Sequence, residues 1–437
     1  MQEPGVRPTI PDITERLAAA SDDEVVADLI RMARAERAVA FRLLPKDRAA
    51  RIFDALGSSI ASELVVDLSD RHVREIFEEL APDDQTMIID EMPAGVANRV
   101  LRDLPEDRRA DTMKLLGYSK ESAGRRMSPV YSSLGPDLTA AQALTELQGQ
   151  ASRGVPIADA PVVDSTRGLL GVVRLATLIA ADPKQRVGEL PLGGARVTTD
   201  VDQELAAQTL LRSGVDVLPV VDAENRLVGV ITEDDALHID DLESDEDAAL
   251  AGGSTPLRRP YLASSVFSLA SKRVIWLLVL LVAASLTVGV LDAFESALES
   301  MVVLSLFIPL LIGTGGNTGA QSVTTVVRAL STGEVRFRDF FRVAFTEFRT
   351  GALLGVVLGA AVFVPVTLFA GWQVAAVLSL SLVGICMLAT TAGAVIPLLA
   401  SRVGVDPAVV SSPFISTIVD AVGLILYFLI AKAILGI

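Results

Sequence analysis

The stretch PAVVSSPFISTIVDAVGLILYFLIA (407–431) holds one charged residue, Asp420, among residues that are otherwise apolar or small. It is long enough to cross a hydrocarbon core, which takes about 20 residues. A carboxylate at that depth is expensive to hold and marks a functional site. Its least costly settings are a water-filled pathway or a cation partner, so the segment reads as the wall of a cation pathway. Steps of four residues from Ser412 reach Ser416 and then Asp420, which places all three on one helix face. Asp406 before Pro407 is a helix-start pair and serves as a cap.

Four more apolar segments of spanning length precede this one. The five lie near 274–291, 302–326, 351–371, 374–400 and 408–431, and predict an all-α transmembrane domain. Residues 274–437 carry only eight of the 54 acids and seven of the 38 bases, so a charged soluble half is joined to a membrane half. Arg258, Arg259, Lys272 and Arg273 precede the first span, and Arg328, Arg336, Arg338, Arg342 and Arg349 lie between the second and third. Arg402 follows the fourth, while the loop after the first carries Asp292, Glu295 and Glu299 without a base. The positive-inside rule then gives a multi-pass protein of the cell (inner) membrane with a cytoplasmic amino terminus and an external carboxyl terminus. No basic region followed by an apolar stretch opens the chain, so a signal peptide is not expected and residues 1–273 are assigned to the cytoplasm.

The second span contains FIPLLIGTGGNTGAQSVTT (307–325). Pro309 with Gly313, Gly315, Gly316 and Gly319 is expected to break or loosen the helix and to bring backbones close together. Freed carbonyls and the side chains of Asn317, Thr318 and Gln321 would offer neutral oxygens to a hydrated ion. Gly315, Gly316, Asn317, Thr318, Gln321, Ser412 and Ser416 are therefore the pore-lining candidates. One carboxylate cannot neutralise a dication, but a symmetric dimer would set two at one level. Two carboxylates and several waters suit magnesium, which sheds its hydration shell reluctantly.

The soluble half has two textures. LLPKDRAARIFDAL (43–56), LSDRHVREIFEEL (68–80), LAPDDQTMIIDEM (80–92) and DLPEDRRADTMKLL (103–116) each open on a Pro, Asp or Ser turn and continue with helical apolar spacing. They predict a superhelical stack of short helices. APVVDSTRGLLGVVRLATLI (160–179) and VLPVVDAENRLVGVITEDDAL (217–237) each read strand, Asp-centred turn, strand, helix. Nine carboxylates follow between Glu233 and Asp247 with no Lys or Arg, and like charges at helical spacing oppose a helix unless counter-ions intervene. A hard divalent cation with oxygen ligands is the natural intervention. The acidic balance argues against nucleic acid, whose phosphates need a basic surface. One cysteine, Cys386, and two histidines, His72 and His238, leave little for thiolate sites, zinc or a Ser-His pair. Neither a nucleophile–base pair nor a phosphate loop is visible, so no enzymatic activity is expected.

The duplicated α/β units resemble a tandem pair of CBS domains. The second keeps the closing Thr232-x-x-Asp235, and the first has Arg174 and Thr177 in the matching places. With YSKESAGRRMSPVY (118–131), GTGGNTG (313–319) and the Asp406–Asp420 pattern, the whole chain resembles the MgtE family of magnesium channels or transporters. The resemblance implies a helical regulatory domain over 1–124, CBS units over 125–188 and 189–242, a connecting plug helix over 243–272 and a pore domain over 273–437. It implies a homodimer in the lipid bilayer whose pore is lined mainly by the second and fifth spans. Mg2+ would be both the transported ion and the regulatory ligand, closing the pore when it binds the acidic cytosolic surfaces. Asp420 matches the family's pore carboxylate, and Asp235, Glu243, Glu246, Asp247 and Glu204 match its sensor acids. His238 departs from an acid common in relatives, and Ser412 from an Asn. CBS units often bind ATP, for which this pair offers only Tyr131 as an aromatic near its edge. The alternatives are a divalent exchanger coupled to another cation and a membrane-anchored CBS sensor.

Overall fold

The computed structural model describes residues 17–436 apart from 18, 33, 69, 152–158, 258–260, 262–263 and 411. Residues 1–16 of the expected helical domain, together with Arg258 and Arg259, lie outside the described residues. The chain divides after Glu243 into a first unit and a second unit that takes in Ser244–Leu257 and everything from Ser265 onward.

The first unit opens with helices α1 (Asp22–Arg31), α2 (Arg34–Arg42), α3 (Lys46–Ala55), α4 (Ser58–Asp67), α5 (Asp70–Glu79), α6 (Pro82–Asp90), α7 (Ala94–Asp103) and α8 (Glu106–Leu116). The prolines act as start signals. Pro45, Pro93 and Pro105 stand at the caps of α3, α7 and α8, and Pro82 at the first turn of α6, where a missing N–H removes no helical bond. Ser21 and Glu24 close a reciprocal capping box at α1. From α1 to α8 each helix packs against its second neighbour, the relation that makes a superhelical stack. Phe41, Phe53 and Phe77 interlock edge to face at 5.8 and 6.3 Å in the shared core. At its end, the short helix α9 (Ala123–Arg126) buries Arg125, which pairs with Asp90 at 2.6 Å and donates to the carbonyls of Leu115 and Tyr118.

The α/β part runs α10 (Ala140–Ala151), β1 (Ala160–Val163), β2 (Leu169–Val173), α11 (Leu175–Ala180), β3 (Val197–Thr198), α12 (Gln203–Ser213), β4 (Val217–Val221), β5 (Leu227–Thr232) and α13 (Glu233–Ala251). β1 and β2 form an antiparallel pair, and β4 lies between parallel β3 and antiparallel β5. The duplication is visible atom by atom. Asp164 accepts from the N–H groups of Thr166 and Gly168, both at 2.8 Å, and Asp222 accepts from those of Glu224 and Arg226 at 3.1 and 2.8 Å. The two turns also bond each other, Leu169 N–H to the Asn225 carbonyl and Leu227 N–H to that of Arg167. Thr232 donates its hydroxyl to Asp235 at 2.6 Å, whereas Arg174 in the first unit instead donates to the Gly214 carbonyl.

The acidic run is helical throughout. α13 carries it through the position expected to start a separate connecting helix, with Glu233, Asp234 and Asp235 in its first turn, where the helix dipole favours negative charge. Residues 243–272, expected as one helix, contain the end of α13, described residues between 252 and 265 that are not α-helical, and the start of the next helix.

The second unit contains α14 (Val266–Ala293), α15 (Glu295–Ser300), α16 (Ile308–Ser331), α17 (Phe340–Ala370), α18 (Trp372–Arg402) and α19 (Ser412–Leu435). All but α15 are long and apolar enough to cross a membrane, α16 together with the 3-10 turns at Val302–Phe307 that precede it. α14 buries none of its residues, while α18 is the packed centre against α16, α17 and α19. α17 starts well before the expected 351, because Arg342 and Arg349 lie on its outer surface and do not interrupt it. Pro309 and the glycines do not break α16 as expected. Pro309 sits in its first turn, and Gly315 and Gly319 are contact points: a Cβ at Gly315 would lie 2.8 Å from Ile385, and one at Gly319 3.0 Å from Ile415.

The same logic joins α17 to α18 through Gly351, Gly355 and Gly359, where the α18 backbone occupies the space a side chain would need. Gly355→Val should therefore lower the melting temperature of the detergent-purified protein, overpacking costing about 1–3 kcal/mol. Gly313→Ala, with nothing within 4 Å of its new methyl, should melt with the wild type.

Candidate functional site

By sequence Asp420 stands in an otherwise apolar span, and the fold sets it beside polar and small residues. Ser412, Ser416 and Asp420 lie on successive turns of α19, all partly buried. Opposite them stands Gly316 of α16, where a Cβ would lie 2.5 Å from Ser416 Oγ and 4.0 Å from Asp420 Oδ1. Glycine at 316 leaves room for the Ser416 hydroxyl, which a Cβ would displace. Asp420 Oδ1 is buried and receives no hydrogen bond from any described residue. A buried carboxylate oxygen without a donor is a strong acceptor for a cation or its hydration water.

The other α16 candidates separate into two groups. Asn317 and Gln321, one turn apart, are exposed and remain available to a pathway. Thr318 and Gly315 point into helix contacts. Thr318 is 6% exposed and donates its hydroxyl to the Thr314 carbonyl at 2.7 Å, satisfying within the helix a group that was expected to face the ion. A further carboxylate went unrecognised in the sequence, because the third span was started at 351. Glu347 of α17 accepts from buried Ser322 of α16 at 2.9 Å, and its own carbonyl accepts from Thr390 of α18 at 2.7 Å. The helical spacing of Phe341, Phe345 and Phe348 was the signal that α17 begins earlier.

In the first unit, Asp235 does not stand alone. Asp54 of α3 and Asp83 and Asp84 of α6 share its electrostatic neighbourhood, and none of the three was singled out from the sequence. Burial, then the Asp235 charge, pushes Asp83 up to about 7. Burial, then Asp83, pushes Asp84 up to about 8. Asp54 and Asp235 are raised as well, by burial first, and His238 partly opposes the shift at both. Asp54 and Asp84 also line an open pocket of about 230 Å³ with Arg51 and Glu79. The remaining candidates lie apart from this cluster. Glu243 accepts from Gln203 and feels the charge of Arg126, and Glu204 accepts from Gln208 at 2.9 Å. Asp247 belongs to the second unit and is raised by burial, then by Asp406 and Glu246. Among the described residues no three His, Cys, Asp or Glu side chains converge as a metal cage. The carboxylates of Asp54, Asp83, Asp84 and Asp235 are thus coupled by mutual repulsion.

Three family profiles match the chain: "divalent cation transporter" over residues 308–430, "MgtE intracellular N domain" over 21–121 and "CBS domain" over 196–241. The magnesium transporter MgtE of Thermus thermophilus is 38% identical over 337 residues, covering 77% of this chain and 75% of the relative. That of Bacillus subtilis is 32% identical over 330 residues, covering 73% and 71%. A crystal structure of the cytosolic domain of the Mg2+ channel MgtE in complex with ATP is 33% identical, with a TM-score of 0.49, over 53% of this chain and 95% of that one.

Raised carboxylate values carry a definite sign. The stability they confer is complete below the unfolded value near 4 and is lost as pH rises through 7 to 8. In chelator-containing buffer the melting transition of the first unit, followed in the full chain, should fall by a few degrees between pH 6 and 8.5, about 1–2 kcal/mol. Scanning calorimetry of Asp83→Asn/Asp84→Asn should show a flatter pH profile.

Proposed function

The chain belongs to the MgtE family of magnesium transporters, and from that premise we propose that it conducts Mg2+ across the inner membrane through a pathway at Asp420. The observation that carries this reading is the buried, donor-free Oδ1 of Asp420 beside Gly316 and Ser416. Magnesium exchanges its inner waters slowly and favours sites where a few carboxylates act on a hydrated ion. Asp420, with the hydroxyls of Ser412 and Ser416 along the same helix face, provides such a surface. A homodimer would bring a second Asp420 to the same level and match the charge of a dication. Asn317 and Gln321 supply neutral oxygens on the facing helix. Ser412, shorter than the Asn common in relatives, leaves more room for water at the entrance.

In this reading the carboxyl terminus is external and residues up to Lys272 are cytoplasmic, since the bases cluster at 328–349 and the acids at 292–299. The helical domain and the CBS pair then sense cytosolic Mg2+. Asp54, Asp83, Asp84 and Asp235 repel one another when ionised, and a bound dication removes that repulsion. Glu204, Glu243, Glu246 and Asp247 add charge along α12 and α13. If the closed state gathers these groups more tightly, each bound ion shifts the equilibrium by its difference in affinity between the two states.

Purified protein in liposomes tests the pore. Asp420→Asn should reduce Mg2+ uptake at least tenfold while the protein still elutes at the wild-type size; undiminished uptake would refute the pathway. A second variant tests regulation. Asp83→Asn/Asp84→Asn/Asp235→Asn should keep its uptake but lose inhibition by Mg2+ applied to the cytosolic face, and inhibition at the wild-type concentration would refute the sensor.

A further inference from the structure

The start of α17 presents a face that neither ion passage nor helix packing uses. Arg338, in the 3-10 turn just ahead of α17, is followed three and four residues on by Phe341 and Arg342, these by Phe345, and Phe345 four residues on by Arg349, so the five form one stripe. Phe341 is 83% exposed and Phe345 61%, and the Arg338 side chain is 77% exposed. Arg349 lies over the Phe345 ring at 5.7 Å, which holds the guanidinium against the aromatic face. The acid of this segment is turned away: Glu347 lies on the opposite side and is engaged by Ser322. Asp339 caps the Arg336 N–H and lies 4.0 Å from Arg338, so the stripe keeps a net positive charge.

Two large aromatic rings and three guanidinium groups on one exposed face make a poor surface for water and a poor one for hydrocarbon. Continuity with the span decides where the face lies, because α17 runs on from it into uninterrupted apolar sequence. From Phe341 to Arg349 the stripe climbs about 12 Å, against roughly 5–8 Å of headgroup layer per leaflet. Side chains on a helix lean toward its N-terminus, so Arg349 is directed back toward the headgroups and can reach them by extending its stem. The rings take the aromatic-belt position.

We propose that this stripe is a binding surface for anionic phospholipid headgroups, with Arg338, Arg342 and Arg349 contacting the phosphate and Phe341 and Phe345 seated among the upper acyl carbons. Arginine is suited to this because its planar fork binds phosphate oxygens two at a time. The proposal requires α17 to span a membrane but is independent of which ion passes. It locates an anionic-lipid requirement at the junction between the cytosolic loop and α17, whose Glu347 is bonded to α16.

The test is the association of spin-labelled phosphatidylglycerol, relative to phosphatidylcholine, with the full chain in nanodiscs, where both leaflets are present and orientation is immaterial. The wild type should prefer phosphatidylglycerol several-fold, and the preference should weaken with salt. R338Q/R342Q/R349Q should bring it close to unity, each arginine contributing up to about fivefold, while R338K/R342K/R349K should keep most of it. An unchanged preference in the glutamine variant would overturn the proposal. So would a glutamine variant that shifts from dimer to monomer at wild-type lipid preference, which would make the stripe a contact between copies of the chain.

Discussion

Holding the Asp420 carboxylate between two membrane helices constrains everything built around it. In hydrocarbon an ionised carboxylate is untenable, and a protein that keeps one must supply water, a cation or a donor. Here no described residue donates to Oδ1. The glycines of α16 let it lie close to its neighbours: Gly315 and Gly319 against α18 and α19, and Gly316 against the Ser416 hydroxyl one turn from Asp420. α18 packs against α16, α17 and α19 and is the most buried of the spanning helices.

The first unit applies the same electrostatics with the opposite emphasis. Asp83 is buried, Asp54 and Asp84 line an open pocket, and burial resists the ionisation of all three. Burial raises Asp83 and Asp84 above the ordinary carboxylate range, up to about 7 and about 8, and the charges of neighbouring acids add to the shift.

Much of this was legible in the sequence, for reasons that differ by region. Proline at helix starts and Asp at turns are local signals, and they located the stacked helices and the duplicated hairpins through contacts only a few residues apart. Asp420 was legible because hydropathy makes a lone charge conspicuous. Asp54, Asp83 and Asp84 were not, since each looks like an ordinary acid near a helix start until α3, α6 and α13 are brought together. Glu347 was hidden among arginines that point the other way. The glycines were legible as points of close approach but not as leaving the helix intact: small residues in a span can loosen a helix or let helices touch, and the neighbours at Ile385, Ile415 and Val419 decide for contact.

The central claim is that a divalent ion resides beside Asp420 on its way through the membrane. Anomalous scattering from crystals of the full-length protein grown with Mn2+, an oxygen-seeking substitute for Mg2+, addresses it directly. The account predicts a peak next to Asp420 and Ser416, near Gly316, that disappears in Asp420→Asn. Peaks confined to the cytosolic acids, with none at Asp420 in the wild type, would contradict it.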